Sequence, residues 1–201
     1  MELLPISKGV PVERLRAALA AGMTDFGENR VQEAAAKAPL LPAAHWQLVG
    51  RLQSNKARRA AALFEVVHAV DSLELAAHLD QAARVAGGAT YPIYLQVNVD
   101  RDPAKAGFAP SAMPAALEEL AGLTGLELRG LMSVGRLANR PAEARPTFVR
   151  LRRLSETLRG PFAALGPGLS MGMSDDFEVA VEEGATVVRV GRAVFGPRPS
   201  G

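Results

Sequence analysis

Apolar positions recur along this chain in two alternating rhythms. Short stretches in which most residues are apolar read as strands at 3–7, 24–27, 46–49, 66–70, 91–97, 126–132, 168–170 and 186–190. Between them, apolar residues spaced three and four apart read as helices at 11–22 (Val12, Leu15, Leu19), 29–38, 55–63, 72–86, 110–122, 142–158 and 175–183, with a short turn at 192–195. The boundaries carry their own chemistry. Asp71 or Ser72 suits the start of the fourth helix, and Gly87-Gly88 its end. A polar loop, 98–109, follows the fifth strand.

Strands that alternate with helices imply a parallel sheet with the helices outside. Eight such units in 201 residues predict an α/β protein of the (β/α)8 TIM-barrel type, near the lower size limit of that fold. A doubly wound open sheet is the alternative. No linker, low-complexity tract or repeat beyond the βα rhythm divides the chain, so 1–201 reads as one domain.

Composition narrows the function. With 48% hydrophobic and 22% charged residues the chain is globular. It has no cysteine, and its three histidines (His45, His68, His78) form no metal-binding pair. No metal is therefore expected. The net charge is only +2, and the pairs Arg58-Arg59 and Arg152-Arg153 are too short for a nucleic-acid stripe. No apolar run approaches a membrane span, and the first residues lack a secretion-signal layout. The expected location is the cytoplasm.

In a parallel barrel, chemistry sits at the carboxyl ends of the strands. That rule singles out Lys8, Asn29, Asn98, Met132-Ser133, the run Ser170-Met171-Gly172-Met173-Ser174, and Gly191. Lys8 follows an apolar strand directly. Desolvation favours the neutral amine, which attacks carbonyl carbon to form a Schiff base. The alternative is a lysine that snorkels to water. Lys37, Lys56 and Lys105 fall on helix or loop segments and are weaker candidates. The small residues after the seventh strand suit close approach of an anion, or Ser174 or Asp175 simply caps the next helix. Arg189, between valines on the last strand, faces the side opposite to them. Buried there, it needs a phosphate, a ring nitrogen or an acid such as Glu28.

Several segments, taken together, resemble the pyridoxal phosphate homeostasis protein family, whose barrel is of the alanine racemase N-terminal-domain type. They are S-K-G (7–9), F-G-E-N-R-V-Q-E (26–33), G-R-L-Q-S-N-K (50–56), G-L-M-S-V (130–134), L-S-M-G-M-S-D-D (169–176) and V-R-V-G-R-A-V-F-G (188–196). The resemblance covers essentially the whole chain. It implies a fold-type III barrel with one pyridoxal 5′-phosphate, PLP. Lys8 would carry the cofactor as an aldimine. Ser170, Met171 and the following backbone, with Gly191 and Arg192, would hold its phosphate. Arg189 would face the pyridine nitrogen, and Asn29 and Met132 would line the ring.

The sequence also departs from the family pattern. Gln47 stands where W-H-F-I-G usually has its histidine. Arg30 replaces a tyrosine, and Arg192 a small hydroxyl residue. A helix usually precedes the lysine strand, whereas Lys8 lies seven residues from the start, so that helix is expected to be missing.

Three functions compete. The leading one is a PLP carrier or buffer in vitamin B6 homeostasis, working through a reversible lysine Schiff base. Apo PLP-dependent enzymes are its expected recipients and a monomer its expected form. A PLP-dependent amino-acid racemase is the alternative, and a Schiff-base aldolase or phosphate-sugar isomerase the third. Racemisation needs an acid-base group on each face of the substrate carbon. The only tyrosines, Tyr91 and Tyr94, lie in the fifth strand, and an arginine at the ring nitrogen weakens the electron sink. Little or no catalytic turnover is expected.

Overall fold

The computed structural model describes residues 1–135 and 140–196. Its strands are β1 (Glu2–Pro5), β2 (Asp25–Glu28), β3 (His45–Leu48), β4 (Val66–Val70), β5 (Tyr91–Gln96), β6 (Leu126–Met132), β7 (Gly168–Met173) and β8 (Val187–Val190). Between and after them run α1 (Val12–Ala20), α2 (Val31–Lys37), α3 (Ala57–Ala61), α4 (Leu73–Ala86), α5 (Met113–Leu120), α6 (Arg145–Arg159), α7 (Phe177–Glu182) and α8 (Arg192–Phe195).

All pairings are parallel, in the order β1-β8-β7-β6-β5-β4-β3-β2. The first and second strands then meet through the Ile6–Gly27 bridge, and the Ser7 amide donates to the Gly27 carbonyl at 2.9 Å. The strands therefore run once around a closed (β/α)8 barrel. An open doubly wound sheet would leave β1 and β2 unpaired with each other or reverse direction at a switch point.

Strand alternation sorts the side chains into two layers. Phe26, Leu48, Ile93, Leu95, Leu131, Leu169, Met171, Val188 and Val190 face outward and join the main core beneath the helices. The face of α6 that meets them carries Thr147, Phe148, Leu151, Ser155 and Leu158, a helical repeat. Inside the barrel a smaller cluster, Leu4, Val66, Ala69, Tyr94, Met132 and Val187, fills the lumen. The rest of the lumen is polar.

The local signals hold at α4. Ser72 Oγ accepts from the Leu75 amide at 3.2 Å, and Gly87 ends the helix at φ 68°. Two expectations shift. The seventh strand extends from the expected 168–170 through Met173. Gly172, at φ 91°, permits this: a Cβ there would lie 2.5 Å from that of Ala180 on α7. Lys8 sits in a turn beyond β1, which stops at Pro5, instead of ending the strand. Among the described residues no helix is long and apolar enough to cross a membrane.

Candidate functional site

The carboxyl ends of β1 and β8 are neighbours, with Leu4 opposite Arg189 and Pro5 opposite Val190. Lys8 and Gly191 follow these two ends. The approach is close, since a Cβ on Gly191 would lie 3.4 Å from the Ile6 carbonyl oxygen. Lys8 is half-buried, and no hydrogen bond or ion pair from the described residues engages its amine.

The turn that carries Lys8 is held from below. Lys37, buried near the end of α2, donates to the Ser7 carbonyl (2.7 Å), Glu28 Oε1 (2.6 Å) and Glu33 Oε1 (2.7 Å). Glu28 is fully buried and also accepts from Ser7 Oγ (2.7 Å) and the Asn29 amide (3.1 Å). Glu33 accepts from the Gly9 amide at 2.7 Å. Burial works against the Glu33 carboxylate, but Lys37 and the Gly9 amide outweigh it and hold its pKa below the usual value. Glu28 is thus the partner of Lys37, not of Arg189.

Arg189 points into the lumen, as strand alternation requires, and is 5% exposed. Its Nη1 donates to Ser170 Oγ (2.8 Å) and its Nη2 to the Ser133 carbonyl (2.8 Å). Burial lowers its pKa to about 10 against the pull of Asp176. The Asp176 carboxyl is in turn pushed up by burial, opposed by the Met173 amide and by Arg189. Asp176 Oδ1 accepts from that amide at 2.6 Å. Asp176, rather than Ser174 or Asp175, stands at the N-terminus of α7.

From Ser170 a chain of hydrogen bonds crosses the lumen. Ser170 Oγ meets His68 Nδ1 at 2.8 Å, and His68 Nε2 meets Gln47 Oε1 at 2.8 Å. Gln47 Nε2 then donates to Glu2 Oε1 (2.8 Å) and Asp25 Oδ1 (3.3 Å). Two carboxylates require the amide nitrogen on their side, so the Gln47 oxygen faces His68. His68 must therefore carry its proton on Nε2 and accept on Nδ1, where the Ser170 hydroxyl donates. The lone pairs of Ser170 remain for Arg189. From Arg189 through Ser170, His68 and Gln47, each link donates onward, away from the mouth. Burial, reinforced by Arg189 and Arg129, lowers the His68 pKa to about 3 and keeps the ring neutral. Tyr94 stacks on it, centroids 4.6 Å apart and planes 16° apart.

The other expected residues distribute as follows. Met132, paired with Ser170 in register, is buried in the lumen cluster. Met171 is fully buried on the outward face, so only its backbone can serve the mouth. Asn29 is half-buried at the end of β2, where the backbone of Gly50 packs so closely that a Cβ would collide with it. Gly191 N–H donates to Ser174 Oγ at 3.1 Å. Arg192 is exposed and ion-paired with Asp175. Ser133 Oγ is buried at the end of β6, with no hydrogen-bond partner among the described residues. A cleft of about 660 Å3 lined by Arg101, Asp102, Pro103, Lys105, Val134, Gly135 and Met173 opens beside these strand ends. Sequence reasoning named Ser133 only as a strand end and Lys37 only as a weaker amine, and gave His68 no role in the site. The signals available were a lone histidine in the otherwise apolar V-V-H-A-V and a lysine four residues after Glu33.

The fold and site together are those of a parallel (β/α)8 barrel with a lysine, unengaged among the described residues, and a buried arginine at adjacent strand ends. The alanine racemase N-terminal domain family matches residues 7–199. A pyridoxal phosphate homeostasis protein of Pseudomonas aeruginosa is 44% identical over 99% of this chain and 85% of its own length. Its counterpart in Aquifex aeolicus is 36% identical over 98% and 87%. The solved structure of PipY of Synechococcus elongatus, with PLP bound, superposes with a TM-score of 0.90 at 42% identity, covering 98% of this chain and 92% of PipY. An alanine racemase of Clostridium difficile shares the fold at TM-score 0.79 and 15% identity, and this chain spans 52% of it. The chain belongs to the pyridoxal phosphate homeostasis protein family.

Proposed function

We propose that this protein binds pyridoxal 5′-phosphate, holds it on Lys8 through a reversible Schiff base, and buffers or carries it in vitamin B6 homeostasis. The observation that carries this reading is the pairing at one mouth of a lysine amine with no partner among the described residues and a buried guanidinium. The donor set suits an anionic aromatic aldehyde: an amine for the carbonyl carbon, the Arg189 cation for the ring nitrogen, and the unused Ser133 hydroxyl at the rim. Its likeness to PipY, solved with PLP bound, supports the same ligand. When bound, the group supplies an electrophilic carbon and a conjugated ring that can accept charge.

The residues of this chain divide the work. Lys8 provides the nucleophile. Arg189 orients the ring and, as a cation hydrogen-bonded in place, disfavours its protonation. Asn29 and Met132 line the ring. The phosphate belongs with the backbone of the 170–174 segment and with Gly191 and Arg192. Ser170 and Met171 serve that end differently from the sequence expectation. The Ser170 proton is committed to His68, so Ser170 acts by orienting Arg189, and Met171 acts through its backbone.

The recipients are apo enzymes that use the same cofactor, and the working form is a cytoplasmic monomer. Turnover of amino acids is slow, because neither tyrosine is available as an acid or base at the mouth. The Tyr91 hydroxyl donates to the Phe64 carbonyl at 2.7 Å, and Tyr94 is buried on His68.

The test is borohydride reduction of the PLP-loaded protein followed by peptide mapping. One adduct on Lys8, lost in Lys8→Ala along with the violet absorbance, is expected. An adduct on Lys37, Lys56 or Lys105 overturns the assignment. Racemisation of D- or L-amino acids at rates of order 1–10³ per second would promote the racemase instead.

A further inference from the structure

The F-G-E-N-R-V-Q-E segment contributes only Asn29 to the reading above, yet its two glutamates and the following Lys37 form a largely buried charged cluster beside the site. Lys37 has three ammonium protons, and all three are spent: one on Ser7, one on Glu28, one on Glu33. What they hold is specific. The Ser7 carbonyl belongs to the peptide unit before the Lys8 Cα. The Gly9 amide, bound by Glu33, belongs to the unit after it. Those two planes define φ and ψ at Lys8. The Ser7 hydroxyl, bound by Glu28, fixes the preceding side chain as well.

Stability alone does not account for this arrangement. Buried ion pairs give little or no net stabilisation over apolar replacements of similar volume. The cluster also spends Glu33 unusually. As the third residue of α2 it is placed to reach back to its own helix start, but it reaches across to Gly9 instead. Lys37 cannot itself react with a carbonyl while all its protons are engaged and its position is 8% exposed.

We infer that Lys37, with Glu28 and Glu33, is a positioning residue: it clamps both peptide planes around Lys8 and so aims an amine that the cluster itself never touches. This rests on the reading of Lys8 as the cofactor lysine, but the geometry of the clamp does not, and the two are separable by experiment.

The test uses Glu33→Ala, Glu33→Gln and wild type, first without cofactor. Two measurements report on the turn: hydrogen exchange of peptides spanning 7–10, and competitive acetylation of Lys8 by acetic anhydride, with Lys56 and Lys105 as internal references. Glu33→Ala should speed exchange at Gly9 and raise Lys8 acetylation. Glu33→Gln keeps an acceptor for Gly9 and should stay near wild type in both. With PLP added, borohydride trapping at Lys8 should slow in Glu33→Ala, by up to the ~10²-fold that misplacement of a reacting group by about an ångström can cost. Lys37→Met is the stronger change, but it strands the Glu28 carboxylate and risks unfolding; the Glu33 variants avoid that. Unchanged exchange, acetylation and trapping in Glu33→Ala, with only the melting temperature lowered, overturns the inference. If wild type traps nothing at Lys8 while exchange and acetylation still respond to Glu33→Ala, the cofactor reading fails and the clamp stands.

Discussion

Two buried polar networks reach the mouth of the barrel, one under Lys8 and one behind Arg189, and they are built on opposite terms. Under Lys8 the charge is concentrated. One ammonium and two carboxylates lie within residues 28–37, and they grip backbone. Behind Arg189 the charge is diluted. A single guanidinium, with the Asp176 carboxyl nearby, leads into a serine, a neutral histidine and an amide on β7, β4 and β3, and the hydrogen-bonded carboxylates stand at the far end. The first network holds by mutual compensation, so removing any charge leaves another stranded. The second holds by direction, since from Arg189 to Gln47 each link donates to the next. Compensated charge suits the fixing of a chain segment. A directed neutral chain suits the fixing of one side chain together with its proton.

The largest expected effect separates the two designs. Lys37→Met should cost about 3–5 kcal/mol in urea denaturation, the penalty for an uncompensated buried charge. Adding Glu28→Gln to it should return much of the loss. A double variant no more stable than the single one would mean that charge compensation is not what holds this region.

His68→Leu comes next. It removes the acceptor of the Ser170 proton and the donor to Gln47, and each orphaned group costs about 1–3 kcal/mol. It should also weaken PLP retention by loosening Arg189, whereas a surface control such as Arg153→Ala should not. Equal retention in both variants would break the link between the lumen chain and the site.

The third prediction uses pH. His68 has a folded pKa of about 3 against an ordinary 6.5. Below pH 6.5 the unfolded chain takes up a proton that the folded chain refuses. The contribution is therefore complete above the unfolded value and is lost as pH falls from there toward about 3. The slope for one proton is at most ~1.4 kcal/mol per pH unit. Asp176, whose pKa is raised, opposes this at the acid end. Urea midpoints taken between neutral and mildly acidic pH should fall in wild type and fall less in His68→Gln. Identical slopes would show that the ring is not held neutral.

The smallest effect belongs to Arg192. Its pair with Asp175 is exposed on both sides, so Arg192→Ala should change stability by no more than about 0.5 kcal/mol. A marked loss of PLP affinity at unchanged stability would sharpen the picture by placing the guanidinium on the phosphate.

Much of the architecture was legible because it depends on local rhythm. Apolar runs and helical spacing mark all eight βα units, and the valines around Arg189 send it inward. The strand-end rule led to Lys8, although the strand itself stops at Pro5. What could not be read was pairing at a distance. His68 and Ser170 are 102 positions apart, and Lys37 and Ser7 are 30 apart. Nothing local to V-V-H-A-V says that its histidine will face a serine three strands away around the barrel. The departure at Gln47 was visible as a substitution, but its meaning lies in its contacts: it bonds His68 on one side and two carboxylates on the other. β7 runs three residues past the expected 168–170, and Gly172 there makes room for Ala180.

The seam between β1 and β8 also has a consequence in time. Glu2 pairs with Val187 and Pro5 with Val190, so strand β1 of the barrel takes β8 as its partner. Contacts of such sequence separation form late, after the entropy of a very long loop has been overcome. The clamp under Lys8 needs nothing beyond residue 37, whereas Arg189 arrives with the final strand. On a ribosome the two halves of the site are therefore separated by the synthesis of most of the strands of the barrel. The lysine half can take shape while the arginine half does not yet exist, and the mouth is finished only when the hoop closes.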